Sequence, residues 1–345
     1  MVERVTKLDR LSSMKLSRPL FAAMAVLTVS GYAQTAATTE FKLALPDHKG
    51  QLRWSADGFK IIQTSAKPNG REIGIRGQDG SQRLTFLGFL FVFPELAPLT
   101  SAKCRDGVLD PEMKSNPALN VLESTEIAWP GGSEISLVSY TSRDKSGATW
   151  YQVRGFVATG DVCGDLAIYS SKPLSVHDAD LNAIFSSYKF DEDYVPSSSD
   201  VFRYAQTLFQ TQMFQAAAPM FESALAKLTD DSAPWPSVKI AKRVITDQAG
   251  MSYGIAGKLD KARAIFEKAI AQDPDYPMYY YNLACADAGE KKLGDARVHL
   301  KAAFERKANI IPGETMPDPT KDDSFLPYQK DKEFWAFLER LQASR

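Results

Sequence analysis

The sequence predicts a multidomain chain of two classes: an α+β domain, in which an antiparallel sheet carries a packed helix, followed by an all-α solenoid of helical hairpins. Three observations carry this prediction. The chain has 345 residues, too many for a single hydrophobic core. Its first half alternates short β-branched and aromatic runs with turn signals. After residue 197 the apolar period becomes helical and a repeat of 34 residues begins. The composition, 44% hydrophobic and 24% charged, is that of a globular protein. With 41 Lys and Arg against 42 Asp and Glu, no dense basic face is available for nucleic acid.

Residues 1–33 read as a signal peptide. Lys15 and Arg18 precede an apolar stretch at 20–29, and Gly31-Tyr32-Ala33 supplies the small residues that signal peptidase requires. Met14 offers an alternative start. An apolar run of about ten residues is too short to span a bilayer, and the later stretch 84–99 is broken by Gly88, Pro94 and Glu95. The mature chain is therefore expected to be periplasmic or secreted, without a stable membrane span. Cleavage leaves 36 basic and 40 acidic side chains. In an oxidising compartment Cys104 and Cys163, both in the first half, are expected to form a disulfide, whereas Cys285 stands alone in a helical stretch. No Cys-x-x-Cys motif supports a redox or zinc site.

The α+β domain is expected over 40–192, with a linker at 193–197. Strands are predicted at 59–65, 71–76, 83–93, 121–129, 134–141, 149–158 and 165–170, separated by turns such as Pro68-Asn69-Gly70, Asp79-Gly80, Gly131-Gly132 and Ser146-Gly147. Short turns imply antiparallel pairing. A closing helix begins at Ser175 as N-cap, with Asp178 three residues on, and presents Leu181, Ile184, Phe185 and Tyr188 along one stripe. Residues 100–118 form either a second short helix or a long loop. The order from Phe41-Lys42-Leu43-Ala44-Leu45-Pro46 to Ser187-Tyr188-Lys189-Phe190 resembles PsbP-like α/β/α sandwich domains of exported bacterial proteins; a plain β-sandwich is the competing architecture.

In the second half Ala262, Phe266, Ala269 and Pro274 recur as Ala296, Leu300 and Ala303 34 residues on. Ala217, Phe221 and Ala224 stand 45 residues earlier, one repeat plus an insertion of 11. Gly250, Tyr253 and Leu259 complete the middle unit, and Phe214 and Leu293 occupy the place of Leu259 in the others. These residues resemble the tetratricopeptide repeat (TPR) family, which implies two antiparallel helices per unit. The units are 198–231, 243–276 and 277–310, with the insertion at 232–242. Small residues let helices approach closely, the phenylalanines fill the space beside them, and Pro274 ends a helix. Departures are Ala205 and Ala284 for glycine, Leu208 and Asp287 for tyrosine, and Leu300 for phenylalanine; Asp287 predicts looser packing of the third unit. The insertion, with Pro234-Trp235-Pro236, is expected to lengthen the next helix and lay Trp235 on its neighbour. Within 311–345 a Pro-rich loop leads to Asp331 as N-cap and a helix carrying Phe334, Phe337, Leu338 and Leu341, expected to cover the last repeat.

Catalytic chemistry is sparse. His48, His177 and His299 read as structural or solvent-facing, and no catalytic, phosphate-loop or metal motif is present, so no catalytic residue, metal or cofactor is expected. The glycines between Gly74 and Gly80 read as strand and turn. The acidic groups Asp191-Glu192-Asp193 and Asp318, Asp322 and Asp323 read as solvated linkers. The TPR resemblance implies a partner-binding groove lined by the first helix of each unit: Phe202, Gln206 and Phe209; Val244, Asp247, Gln248 and Met251; Met278, Tyr281, Asn282 and Cys285. It implies that Asn282 bonds a peptide backbone. Phe202, Asp247 and Tyr281 stand where cochaperone TPRs carry basic clamps, which implies an apolar peptide or helix rather than an acidic tail. Phe202, Phe209 and Met251 fit internal packing equally well. Two functions follow: a non-enzymatic exported interaction or scaffold protein of the bacterial envelope, or a small-ligand carrier or enzyme with its site in the first domain. A deep pocket with clustered acidic and Arg groups there favours the second; a filled sheet–helix core favours the first.

Overall fold

The computed structural model describes residues 39–128, 134–229 and 234–343. The chain divides between Pro196 and Ser197 into two compact units. The expected signal segment, the Gly131-Gly132 turn, and Ser232 and Ala233 lie outside the described residues.

In the first unit the described elements are β1 (Glu40–Ala44), β2 (Gln51–Ser55), β3 (Phe59–Ala66), β4 (Glu72–Asp79), β5 (Thr85–Val92), α1 (Ser101–Ser115), β6 (Asn120–Ala128), β7 (Glu134–Arg143), β8 (Thr149–Thr159), β9 (Val162–Ser170), α2 (Ala179–Ser187) and β10 (Lys189–Asp191). They form a seven-stranded antiparallel sheet, ordered β3-β4-β5-β9-β8-β7-β6, and a three-stranded one, β1-β2-β10. After β5 the chain crosses through α1 to the far edge at β6 and steps inward, so β9 pairs with β5 with Gly88 opposite Leu166. Every strand predicted in this half exists. The small sheet is the addition, because its strands are only three to five residues long and too short to alternate visibly.

Central strand β5 is apolar along its length because both faces are covered. Phe86 meets Phe41 and Trp54 of the small sheet. Gly88 makes room for the Trp54 ring, which a Cβ at that position would overlap. On the opposite face Leu87, Phe89 and Phe91 join Leu99, Cys104, Leu109, Val138, Tyr140 and Phe156 beneath α1. Residues 100–118 thus hold a helix of 15 residues rather than a loop. It starts at Thr100, whose hydroxyl accepts the Lys103 N–H at 3.2 Å, and is stapled to β9 by the Cys104–Cys163 disulfide, with Cα atoms 5.6 Å apart. The N-cap position of α2 falls at Asp178, not Ser175: the Asp178 carboxylate turns back to accept the Ser175 N–H at 3.0 Å. Leu181, Ile184 and Phe185 are buried as expected, with Phe185 over Gly155 of β8.

The second unit comprises α3 (Ser198–Gln210), α4 (Phe214–Ala226), α5 (Val238–Ile255), α6 (Leu259–Gln272), α7 (Pro277–Gly289), α8 (Leu293–Glu305) and α9 (Lys332–Ala343). A reciprocal capping box of Ser197 and Asp200 opens it. The helices pair as three successive hairpins, and each turn is built alike. Met213, Lys258 and Lys292 donate their N–H groups to the carbonyls of Leu208, Tyr253 and Asp287, and Gln212, Gly257 and Lys291 take the left-handed conformation. Repeat-spaced Ala217, Phe221, Ala224, Ala262, Phe266, Ala296, Leu300 and Ala303 are all buried. A Cβ on Gly250 would overlap the Phe266 ring. Helix α5 starts at Val238, ahead of the repeat, and Trp235 stacks edge-on against Phe202 at 4.9 Å. Helix α9, with Asp331 accepting the Phe334 N–H at 3.0 Å, seats Phe334 and Leu338 in the core of the last hairpin.

Asp287 corrects one expectation. The third unit is not loosely packed there: Asp287 is 0% exposed and accepts from Arg263 at 2.6 Å and pairs with His299 at 2.6 Å. A charge replaces a ring because the Arg263 guanidinium and a hydrogen bond with the His299 ring compensate its desolvation.

Candidate partner-binding groove

Helices α3, α5 and α7 are the first helices of the three hairpins and carry the predicted groove residues. On α3, Phe202 and Phe209 are buried; Phe202 rests on Phe221 and Trp235, and Phe209 on Phe214 and Phe221. Gln206, Gln248, Met251 and Met278 are half-buried, and Met278 borders the core of the last hairpin. Asn282 donates to Asp247 at 2.6 Å, so its amide holds α5 against α7. Tyr281, 1% exposed, donates to Asp322 at 3.0 Å. The fold therefore joins Asp247 with Asn282, groups Phe202 with Phe209 around Phe221, and turns Tyr281 towards the C-terminal loop.

That loop supplies the residues that sequence reasoning missed. Residues 310–325 form no helix or strand, yet Ile311, Met316, Asp322, Ser324 and Phe325 are buried. Tyr276 donates to Glu314, at 2.9 Å to either oxygen, and Arg243 donates to the Asn309 carbonyl at 3.3 Å while pairing with Asp273 at 2.6 Å. Phe325 lies edge-on to Tyr281, with centroids 6.1 Å apart, and Tyr328 donates to the Ala288 carbonyl. Asp322, expected in a solvated linker, is 3% exposed because Tyr281 and the Ser324 N–H satisfy its oxygens. The available signal was the spacing of Met316 and Phe325 among the prolines; a solvated linker has no use for either.

Burial and then the charge of Glu314 push the Asp247 carboxyl up to about 8, against the lowering effect of its Asn282 bond. Burial also raises Glu314 above the usual carboxylate range, opposed by its bonds to Tyr276 and the Ile311 N–H. Two carboxyls with raised affinity for a proton thus come from α5 and from the loop.

The first unit holds a buried ionic cluster. Arg154, 0% exposed, bonds both oxygens of Asp165 at 2.7 and 2.6 Å and reaches Glu112 of α1 at 2.9 Å. Its partners are satisfied, so it pins α1 to β8 and β9. Tyr140, also bonded by Arg154, is pushed up to about 12 by burial. Beside α1 lies a cleft of about 570 Å³ bordered by Lys67, Arg71, Glu72, Phe93, Glu95 and Glu112. Among the described residues no group of three His, Cys, Asp or Glu side chains could hold a metal ion, and no helix is long and apolar enough to cross a membrane.

No protein-family model and no curated protein matches this chain. Solved structures give distant likenesses. MamA is 21% identical, with 33% of this chain and 60% of MamA covered, at a TM-score of 0.27. The type III secretion translocator chaperone SycD of Yersinia enterocolitica is 14% identical over 43% of this chain and 89% of its own, at 0.28. The Sgt2 TPR domain from Aspergillus fumigatus is 16% identical over 42% and 79%, at 0.29. The helical repeat of the second unit stands on its three equivalent turns and its buried 34-residue pattern. None of these matches links the first unit to PsbP-like domains.

Proposed function

We propose that this chain is a non-enzymatic interaction or scaffold protein, exported to the bacterial envelope, that engages a protein or peptide partner through the face built by α3, α5 and α7. The proposed units are 198–231, 243–276 and 277–310. The observation that carries the reading is that the α7 side of this face already accommodates irregular polypeptide, held by side-chain bonds to Tyr276 and Tyr281 and by the packing of Met316 and Phe325. The adjoining α3–α5 part presents half-buried Gln206, Gln248 and Met251, which are side chains able to meet a guest without dismantling the repeat.

Phe202 and Tyr281 are unsuitable probes because truncating either removes core packing. Gln206→Arg/Gln248→Arg alters the face while sparing the core. Crosslinking with mass spectrometry in the native envelope is expected to capture a reproducible partner with wild type and to lose it with this variant at unchanged helical CD and melting. Capture of the same partner by the variant, or of none by wild type, defeats the reading.

The cleft beside α1 favours a second reading, a small-ligand carrier. A ligand that raises the Tm of wild type but not of Arg71→Glu would support it.

A further inference from the structure

The cleft beside α1 has a chemically divided lining. Its apolar wall is made by Phe91 and Phe93, which meet edge-on with centroids 5.0 Å apart, together with Val108 and Pro111 of α1. Glu112 also lines it, with a side chain 12% exposed. Glu112 shares the buried Arg154 with Asp165, so one guanidinium serves two carboxylates and the trio keeps an excess of negative charge. The sharing is unequal. Arg154 holds the Asp165 oxygens at 2.7 and 2.6 Å but those of Glu112 at 2.9 and 3.4 Å, and the weakly held Glu112 Oε1 keeps lone pairs for a donor in the cleft. Glu95 adds a second carboxylate. It stands on the 94–96 turn, which comes so near α1 that a Cβ on Gly107 would lie 2.9 Å from Leu96 Cδ1. The strand side contributes Arg71, whose guanidinium, like the Glu95 carboxylate, has no hydrogen-bond or ion-pair partner among the described residues. A free cation and surplus carboxylate charge therefore border one apolar wall.

We propose that this cleft binds a zwitterion with an apolar body, namely an apolar amino acid or a short apolar peptide. The ammonium meets Glu112 and Glu95, the carboxylate meets Arg71, and the apolar body lies on Phe93, Val108 and Pro111. This rests on the carrier reading and names its ligand class. An ammonium supplies the positive charge that Arg154 divides between two carboxylates, and the Arg71 fork can receive a carboxylate through two parallel bonds. Either charge alone fits poorly. An anion without an amine brings like charge to Glu112 and Glu95, and an amine without a carboxylate leaves Arg71 unmatched. The volume of about 570 Å³ lies within the range of small-molecule sites, about 300–1,000 Å³.

The test is isothermal titration calorimetry on the full mature chain. The probes are L-phenylalanine and the dipeptide L-phenylalanyl-L-leucine, each free, N-acetylated and amidated at the carboxyl end. Saturable binding of a free form is expected, with either cap weakening it at least tenfold; the tighter free form tells amino acid from peptide. Arg71→Gln should abolish the discrimination against the amide and leave that against the N-acetyl form. Glu112→Gln, which keeps an acceptor for Arg154, should do the reverse, and Glu95→Gln at its exposed position repeats the question should Glu112→Gln fail to fold. A merely structural role would shift all probes alike. Capped forms binding as tightly as free ones, or discrimination unchanged in Arg71→Gln or in both glutamate variants, overturns the zwitterion and leaves the carrier reading standing. Absence of saturable binding by every probe overturns the zwitterion as well, and the carrier reading then stands or falls on the Arg71→Glu melting comparison.

Discussion

At Asp247 a carboxyl is enclosed with Asn282 as donor, Glu314 as a second carboxyl, and Tyr276 and Tyr279 within electrostatic range. Its folded value of about 8 exceeds that of an unfolded aspartate, about 3.9. The folded state therefore holds the proton more tightly, and stability falls as pH rises from about 4 to about 8, then levels. Asp247→Asn keeps an acceptor for Asn282 and removes the titration. Urea midpoints measured from pH 4 to 9 should show wild type losing ground to this variant across that window, with a constant difference above it. Parallel profiles would contradict the enclosed carboxyl. The repeat pattern placed Asp247 and Asn282 on a common face, but their bond was not legible, because the two are 35 residues apart and meet only when α5 packs on α7. Asp287 was misread for the same reason: Arg263 and His299 come from neighbouring helices.

Element by element, legibility followed the regularity of burial. Helices α4, α6 and α8 repeat Ala-x3-Phe/Leu-x2-Ala, and a periodic stripe is visible in one sequence. Helix α1 buries only Ser101, Cys104 and Leu109 and contains Gly107 and Pro111, so its helicity depends on the Thr100 cap, the disulfide and the Arg154–Glu112 pair. Gly250 supplies an element-scale prediction. Gly250→Ala drives a methyl group into the Phe266 ring and should cost about 1–3 kcal/mol by overpacking. Gly250→Ala/Phe266→Leu reproduces the Ala284 and Leu300 combination of the third hairpin and should recover most of that loss. Denaturant titration of the two variants checks it; no recovery would mean that the helix crossing, not the ring, sets the limit.

For the whole molecule, each unit encloses its own core, and the Cys104–Cys163 bond closes a loop of 59 residues wholly within the first. On the chain-entropy account such a closure contributes about 4 kcal/mol. Reduction of the full chain should lower the unfolding midpoint of the sheet unit while the helical far-UV signal of the second unit persists. An unchanged midpoint with both thiols shown to be free would refute that contribution. The sequence by itself determined the change of class near residue 197, most of the strands, the helical repeat and the cysteine pairing, because these depend on local period, turn chemistry and a count of three cysteines. Tertiary structure alone decided the small second sheet, the Arg154 cluster, the Asp247–Asn282 bond and the packing of loop 310–325 against α7. Those features join residues tens of positions apart, and their energy comes from desolvation and packing that no local window contains.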